Sequence, residues 1–225
     1  GASPMPVEVL KEIQERLPDV DLWNFYGQTE LAPVATILPP HEQLSHAGSA
    51  GRPVLMVETR LADDAGHEVP VGEIGEVVHR SPHIAAGYWR NEEKTAEAFA
   101  GGWFHSGDLG IADDEGRITI VDRKKDMIKT GGENVASREV EEAIYAHPDV
   151  AEVAVFAVPD PKWVEAVTAT VVAKQGSGLT AESVQEHCAQ VLASYKRPKR
   201  IEILDALPKN PSGKILKREL RVRFS

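Results

Sequence analysis

Cysteine is almost missing from this sequence: Cys188 is the only one in 225 residues. One thiol cannot close an internal disulfide or build a thiolate zinc site, so stapled secreted folds and structural zinc modules are excluded, and a reducing compartment is expected. Long apolar runs are missing too. The best candidate, Val153 to Val158, has strand length, far short of the ~20 residues of a membrane helix. No basic-then-apolar leader opens the chain, so the expectation is a cytoplasmic protein without an integral membrane segment. Positive charge is scarce: 25 Lys and Arg against 35 Asp and Glu leave a net charge of −10, which argues against a nucleic-acid partner. What remains is 42% hydrophobic, enough for a packed core, over a length that fits one large or two ordinary domains.

The charge is uneven. From Tyr195 to Ser225 there are ten basic residues and three acidic ones. Such a run reads either as a solvated helical face or as a basic surface for a polyphosphate, and charge alone leaves both open.

Patterning divides the chain. Residues 5–17 read as an amphipathic helix (Val9, Leu10, Ile13, Leu17) stopped by Pro18, followed by a short strand from Val20 to Tyr26. Residues 33–53 are rich in Pro, Gly and His and read as a loop. Alternation at Leu55, Val57, Thr59 and Leu61, a strand over Ile74–His79, a short helix capped by Asn91, and a hairpin around Asp113-Asp114-Glu115-Gly116 suggest an antiparallel, barrel-like subdomain over 48–122. A charged stretch, Asp122-Arg123-Lys124-Lys125-Asp126, ends it. Beyond lie a helix capped by Ser137, strands over Val150–Val158 and Ala166–Ala173, a helix capped by Thr180, and a strand over Ile201–Leu204. The expected class is α+β, the last part being a small domain with a three-stranded sheet and flanking helices.

Three motif resemblances fail on spacing. His41 and His46 are five apart, whereas a zinc-protease helix needs four. Asp113-Asp114-Glu115-Gly116 lacks the alternating ligands of a calcium loop. Ser212-Gly213-Lys214 lacks the first glycine and the final hydroxyl of a phosphate loop.

Five segments carry more chemistry than a plain fold requires. Tyr26-Gly27-Gln28-Thr29-Glu30 combines an aromatic, a hydroxyl and a carboxylate at a strand end, suited to a purine, a phosphate and Mg²⁺. Trp103-Phe104-His105-Ser106-Gly107-Asp108 places a carboxylate after a turn, where it can accept ribose hydroxyls. The others are Asp122–Asp126, the glycine-paired Lys129-Thr130-Gly131-Gly132-Glu133-Asn134, and Pro208-Lys209-Asn210-Pro211-Ser212-Gly213-Lys214, which presents one lysine.

In this order, and together with Gly1–Pro4, Gly48–Pro53, Gly72–Val77 and Gly87–Trp89, these segments resemble the adenylate-forming enzymes: acyl-CoA synthetases, firefly luciferase and peptide-synthetase adenylation domains. The wording GGWFHSGD and DRKKDMIKTGGENV is most similar to bacterial medium- or long-chain fatty acyl-CoA synthetases. The resemblance implies an acid–thiol ligase whose small-molecule substrates are a fatty acid, ATP and coenzyme A, with Mg²⁺ as cofactor and AMP as product. It implies Lys214 as the lysine of adenylation, Thr29 as a phosphate contact and Glu30 as the Mg²⁺ ligand. Tyr26, Gly27, Asp108, Arg123 and Ala2 would hold the nucleotide, Lys125 would be the hinge, and Lys129, Gly131, Gly132 and Glu133 would serve the thioester step. The domains implied are a remnant of a large N-terminal domain (1–47), the barrel-like part (48–122), the hinge (123–126) and a mobile C-terminal domain (127–225).

The family's Ser/Thr/Gly-rich phosphate loop and most of its acyl pocket have no counterpart in these residues. The expectation is therefore the C-terminal portion of a longer synthetase, inactive without its N-terminal domain, with residues 1–47 disordered or paired to another copy. An adenylation domain loading a carrier-protein thiol and a non-catalytic binding fragment are the alternatives.

Overall fold

The computed structural model describes residues 5–225, so the Gly1–Pro4 segment, with Ala2, lies outside the described residues. The chain divides into two compact units at Lys124 and Lys125.

In the first unit, helix α1 (Val7–Arg16) buries only Leu10, and Leu17, expected on its inner face, is half exposed. Strands β1 (Asn24–Tyr26), β2 (Thr36–Leu38) and β3 (Arg52–Pro53) form an antiparallel sheet in that order. The segment expected as a loop thus contains two strands. They are too short for a hydrophobic period to show, and β2 is held by buried Thr36 and Leu38 flanking Ile37. Gly51 is required at its place: a Cβ there would meet the Ile37 carbonyl at 1.9 Å.

A second sheet follows as a meander of β4 (Glu58–Ala62), β5 (Gly75–Arg80), β6 (Phe104–Ala112) and β7 (Ile118–Arg123), with helix α2 (Glu92–Ala98) between β5 and β6. Leu55, expected within the first strand, is almost fully exposed before β4 begins. Asn91 does cap α2, its side chain accepting from Lys94 N. The sheet stays open, with β4 and β7 at its edges, so barrel closure is not reached. At the β6–β7 hairpin Asp113 Oδ1 accepts the amides of Glu115 and Arg117, and the Arg117 guanidinium meets Asp113, Glu115 and Glu42.

The second unit holds β8 (Ile128–Thr130), β9 (Glu133–Val135), α3 (Ser137–Tyr145), β10 (Val150–Asp160), β11 (Val164–Ala173), α4 (Ala181–Val191), β12 (Arg200–Ile203) and α5 (Lys217–Phe224). Its sheet has five strands rather than three. β11 sits between antiparallel β10 and an edge shared by β8 and parallel β12. The apolar run in β10 has a simple cause: both faces are covered. Val153 and Val155 pack with α3 and α4 residues Val140, Ile144, Val184 and Cys188, whereas Ala154, Phe156 and Val158 pack with Leu207 and Leu220. Burial pushes the Cys188 thiol up to about 11, as expected of a core thiol.

Thr180 caps α4 in a reciprocal box with Ser183. Ser137 does not cap α3. The cap is Ala136, and buried Ser137 accepts a hydrogen bond from Lys217 Nζ at 2.8 Å.

Candidate functional site

In the first unit β6 does not run straight. Glu76 pairs with Leu109 and Val78 with His105, so Ser106, Gly107 and Asp108 together stand opposite Val77. A bulge of this kind re-aims a side chain. Gly107 adopts φ +71°, which costs a glycine nothing sterically. Ser106 Oγ donates to Val77 O at 2.6 Å and accepts from Asp108 N, and Gly107 N donates to Glu76 Oε1.

The bulge leaves Asp108 buried with three donors aimed at it. Tyr26 Oη and Gln28 Nε2 donate to Oδ2 at 2.8 and 2.9 Å, and Arg123 Nε lies 3.4 Å from Oδ1. Arg123 comes from β7, directly opposite Asp108 in register. Gln28 also donates to Ser106 O, so it ties the β1 end to the bulge. Burial, then the Asp108 charge, pushes the Tyr26 phenol far above its ordinary range, so it stays protonated and donates. Beside the Tyr26 ring lies His79, fully buried, with Nδ1 3.0 Å from Thr59 Oγ1 and no partner at Nε2 among the described residues. Burial lowers its pKa to about 4. Neutral imidazole with the proton on Nδ1 leaves no N–H unsatisfied.

The residues following Tyr26 are placed by packing. A Cβ on Gly27 would lie 1.9 Å from the Pro33 carbonyl, so the backbone approach of 33–35 demands glycine there. Thr29 opens a single helical turn, Thr29–Leu31, anchored by fully buried Leu31. Thr29 is exposed, and Glu30 Oε1 accepts from Tyr88 Oη at 2.7 Å.

In the second unit, Lys129, Gly131, Gly132 and Glu133 belong to the β8–β9 hairpin. Thr130 pairs with Glu133, leaving the two glycines as the turn, at φ +60° and +88°. This is the two-residue hairpin geometry that requires positive φ twice. The bend alone accounts for both glycines. A Cβ on Gly131 would also sit 3.0 Å from the Trp163 ring, while one on Gly132 would meet nothing within 4 Å. Lys129 N donates to Glu165 Oε2.

Lys214 closes a loop organised by Asn210, whose Oδ1 accepts from Ser212 N, Ser212 Oγ and Lys214 N. The loop fixes the Lys214 backbone and leaves the residue exposed. Much of the basic run is turned onto its own unit: Lys196 on Glu139, Lys209 on Glu152, Lys217 on Glu141 and Arg221 on Asp126. These four are thus neutralised within their own unit, while Lys214 and Arg218 are exposed. Lys125 is exposed, between Lys124 and buried Asp126.

Residues 1–89 match the family described as AMP-binding enzyme, and residues 139–214 match the AMP-binding enzyme C-terminal domain. The chain belongs to the adenylate-forming, AMP-binding enzyme family. Among curated relatives, a feruloyl-CoA synthase of an Amycolatopsis species is 42% identical over all of this chain and 45% of its own length. A long-chain-fatty-acid–CoA ligase of Escherichia coli is 44% identical over 96% of this chain and 38% of its own length. Among solved structures, o-succinylbenzoate CoA synthetase from Bacillus subtilis, in complex with its acyl-adenylate intermediate, superposes with a TM-score of 0.89 at 33% identity, over 98% of this chain and 45% of that one. The chain thus spans less than half the length of these relatives.

The sequence put forward Glu30 as a Mg²⁺ ligand. Among the described residues no three His, Cys, Asp or Glu gather as a metal cage. Glu30 has one oxygen engaged by Tyr88 and Oε2 without a hydrogen bond among the described residues. One partly exposed carboxylate oxygen fits Mg²⁺, which keeps several waters and is bound chiefly through substrate phosphates. Sequence reasoning assigned no role to Gln28, Ser106, His79 or Tyr88. Gln28 was within reach: two residues beyond Tyr26 in extended chain, it shares that residue's face.

Proposed function

We propose that the chain is the C-terminal part of an acyl-CoA synthetase acting on fatty acids. The observation that supports this best is Asp108, buried on a bulge and held by Tyr26, Gln28 and Arg123. A carboxylate with Oδ2 doubly satisfied retains acceptor capacity at Oδ1, as a ribose diol needs. Arg123 beside it adds a donor for the same sugar, and the Tyr26 ring offers the adenine a flat apolar wall.

In the first half-reaction a carboxylate oxygen attacks the α-phosphorus of ATP. The bond to the bridging oxygen breaks, and pyrophosphate leaves with the electron pair. Charge builds on the α-phosphoryl oxygens, so a positioned cation stabilises the transition state more than the ground state. Lys214 is that cation, Thr29 hydrogen-bonds phosphate oxygen, and Glu30 would hold Mg²⁺, whose contribution is to neutralise phosphate charge. In the second half-reaction the thiolate of coenzyme A attacks the acyl carbon and the C–O bond to AMP breaks. Lys125 serves as the hinge between the two steps, and the Lys129–Glu133 hairpin serves the second.

The test uses the full-length parent with MgATP, a panel of fatty and aromatic acids, and coenzyme A. The expected outcome is pyrophosphate release favouring fatty acids. Release that favours cinnamate-type acids overturns the substrate class, and no release with any carboxylate overturns the reading.

A further inference from the structure

We infer that Tyr88 is a positioning residue for Glu30: its hydroxyl holds the carboxylate in the one orientation that presents Oε2 to the cation travelling with the nucleotide. The inference rests on the acyl-adenylate reading and adds to it a residue with no role there.

The loop carrying Tyr88 is attached to residue 30 twice. Ala85 N donates to Glu30 O at 2.8 Å, and Tyr88 Oη donates to Glu30 Oε1 at 2.7 Å. The phenol is fixed from its other end by α2. Asn91 caps that helix, and Thr95 on its first turns accepts the Tyr88 amide at 2.9 Å and donates to Asn91 O. Gly87 lets the loop settle on the helix, since a Cβ there would come within 2.5 Å of Thr95 Cγ2. The Tyr88 ring stands 6.4 Å from Phe99, which in turn packs on buried Phe104.

Phenylalanine would satisfy that ring packing equally well, so the hydroxyl answers to Glu30 alone. A phenol is a neutral donor at physiological pH. That matters chemically. A lysine or arginine here would orient Glu30 but cancel the charge that attracts a cation, whereas a neutral hydroxyl orients it and leaves the full negative charge. It also removes in advance the side-chain freedom that a flexible glutamate would lose on binding.

Two measurements test this. In the 225-residue chain, the ¹³Cζ resonance of Tyr88 at neutral pH should move on Glu30→Gln while those of Tyr26, Tyr145 and Tyr195 stay. In the full-length parent, Tyr88→Phe should raise the Mg²⁺ concentration for half-maximal pyrophosphate release about fivefold, with the KM for the acid unchanged. An unmoved Tyr88 resonance, or a Mg²⁺ curve identical to wild type, overturns the positioning role while the acyl-adenylate reading stands. A parent that releases no pyrophosphate at any Mg²⁺ concentration overturns that reading and the role of Tyr88 with it.

Discussion

Asp108 is held by one neutral phenol, one neutral amide and one guanidinium, so its charge is kept available rather than neutralised on every side. Asp108→Asn keeps the shape but turns one oxygen into a donor that faces Tyr26, Gln28 or Arg123. Initial-rate kinetics of the parent should show the KM for ATP raised at least tenfold and the KM for the acid little changed. His79 sets a second residue-scale expectation. Its folded pKa of about 4 lies below the ~6.5 of an unfolded histidine. Between those values the unfolded chain binds the extra proton, so stability is full above about 6.5 and falls as pH drops toward 4, by about 3 kcal/mol in all. Urea midpoints at pH 7 and pH 5 should therefore converge in His79→Leu relative to wild type. Asp108 was legible in the sequence as a ribose acceptor; His79 was not. His79 follows two buried valines in β5, and only its burial beside Tyr26 gives it consequence.

Most of the longer elements were legible, but α5 (Lys217–Phe224) was not, its basic run masking a helix that buries only Leu220. The β10–β11 strands, α2, α3 and α4 stand close to where periodicity put them, because each spans enough residues for a period to show; the caps of α2 and α4 also hold, whereas that of α3 is Ala136 in place of Ser137. β2, β3, β8 and β9 have two or three residues apiece, so no alternation can reveal them, and the bulge in β6 depends on its partner's register, which no single strand encodes. The β8–β9 turn yields a prediction of its own. Gly132 needs positive φ but has open space around it. Asparagine, which tolerates the left-handed region, should therefore preserve the hairpin. Valine should destabilise it by about 1–2 kcal/mol, seen as faster amide exchange over residues 128–135. The β6–β7 hairpin depends on charge instead. Arg117→Ala strands Asp113, Glu115 and Glu42 close together, and thermal melts should show a lower midpoint that high salt partly restores.

For the whole molecule, the expectation is that the two half-reactions separate genetically. Lys214→Ala in the parent should suppress acyl-adenylate formation yet spare thioester formation from supplied acyl-adenylate, both followed by chromatography of the products. Lys125→Pro should slow the passage between steps and leave the first measurable, because proline restricts the φ that a hinge must change.

The two residues beside Lys125 are each fastened within their own unit. Lys124 gives its amide to Gly107 O and its ammonium to Asp64, and Asp126 is buried against Arg221 of α5. Lys125 is therefore the single residue between two anchored neighbours, one tied to the bulge that aims Asp108 and the other to the helix of the second unit.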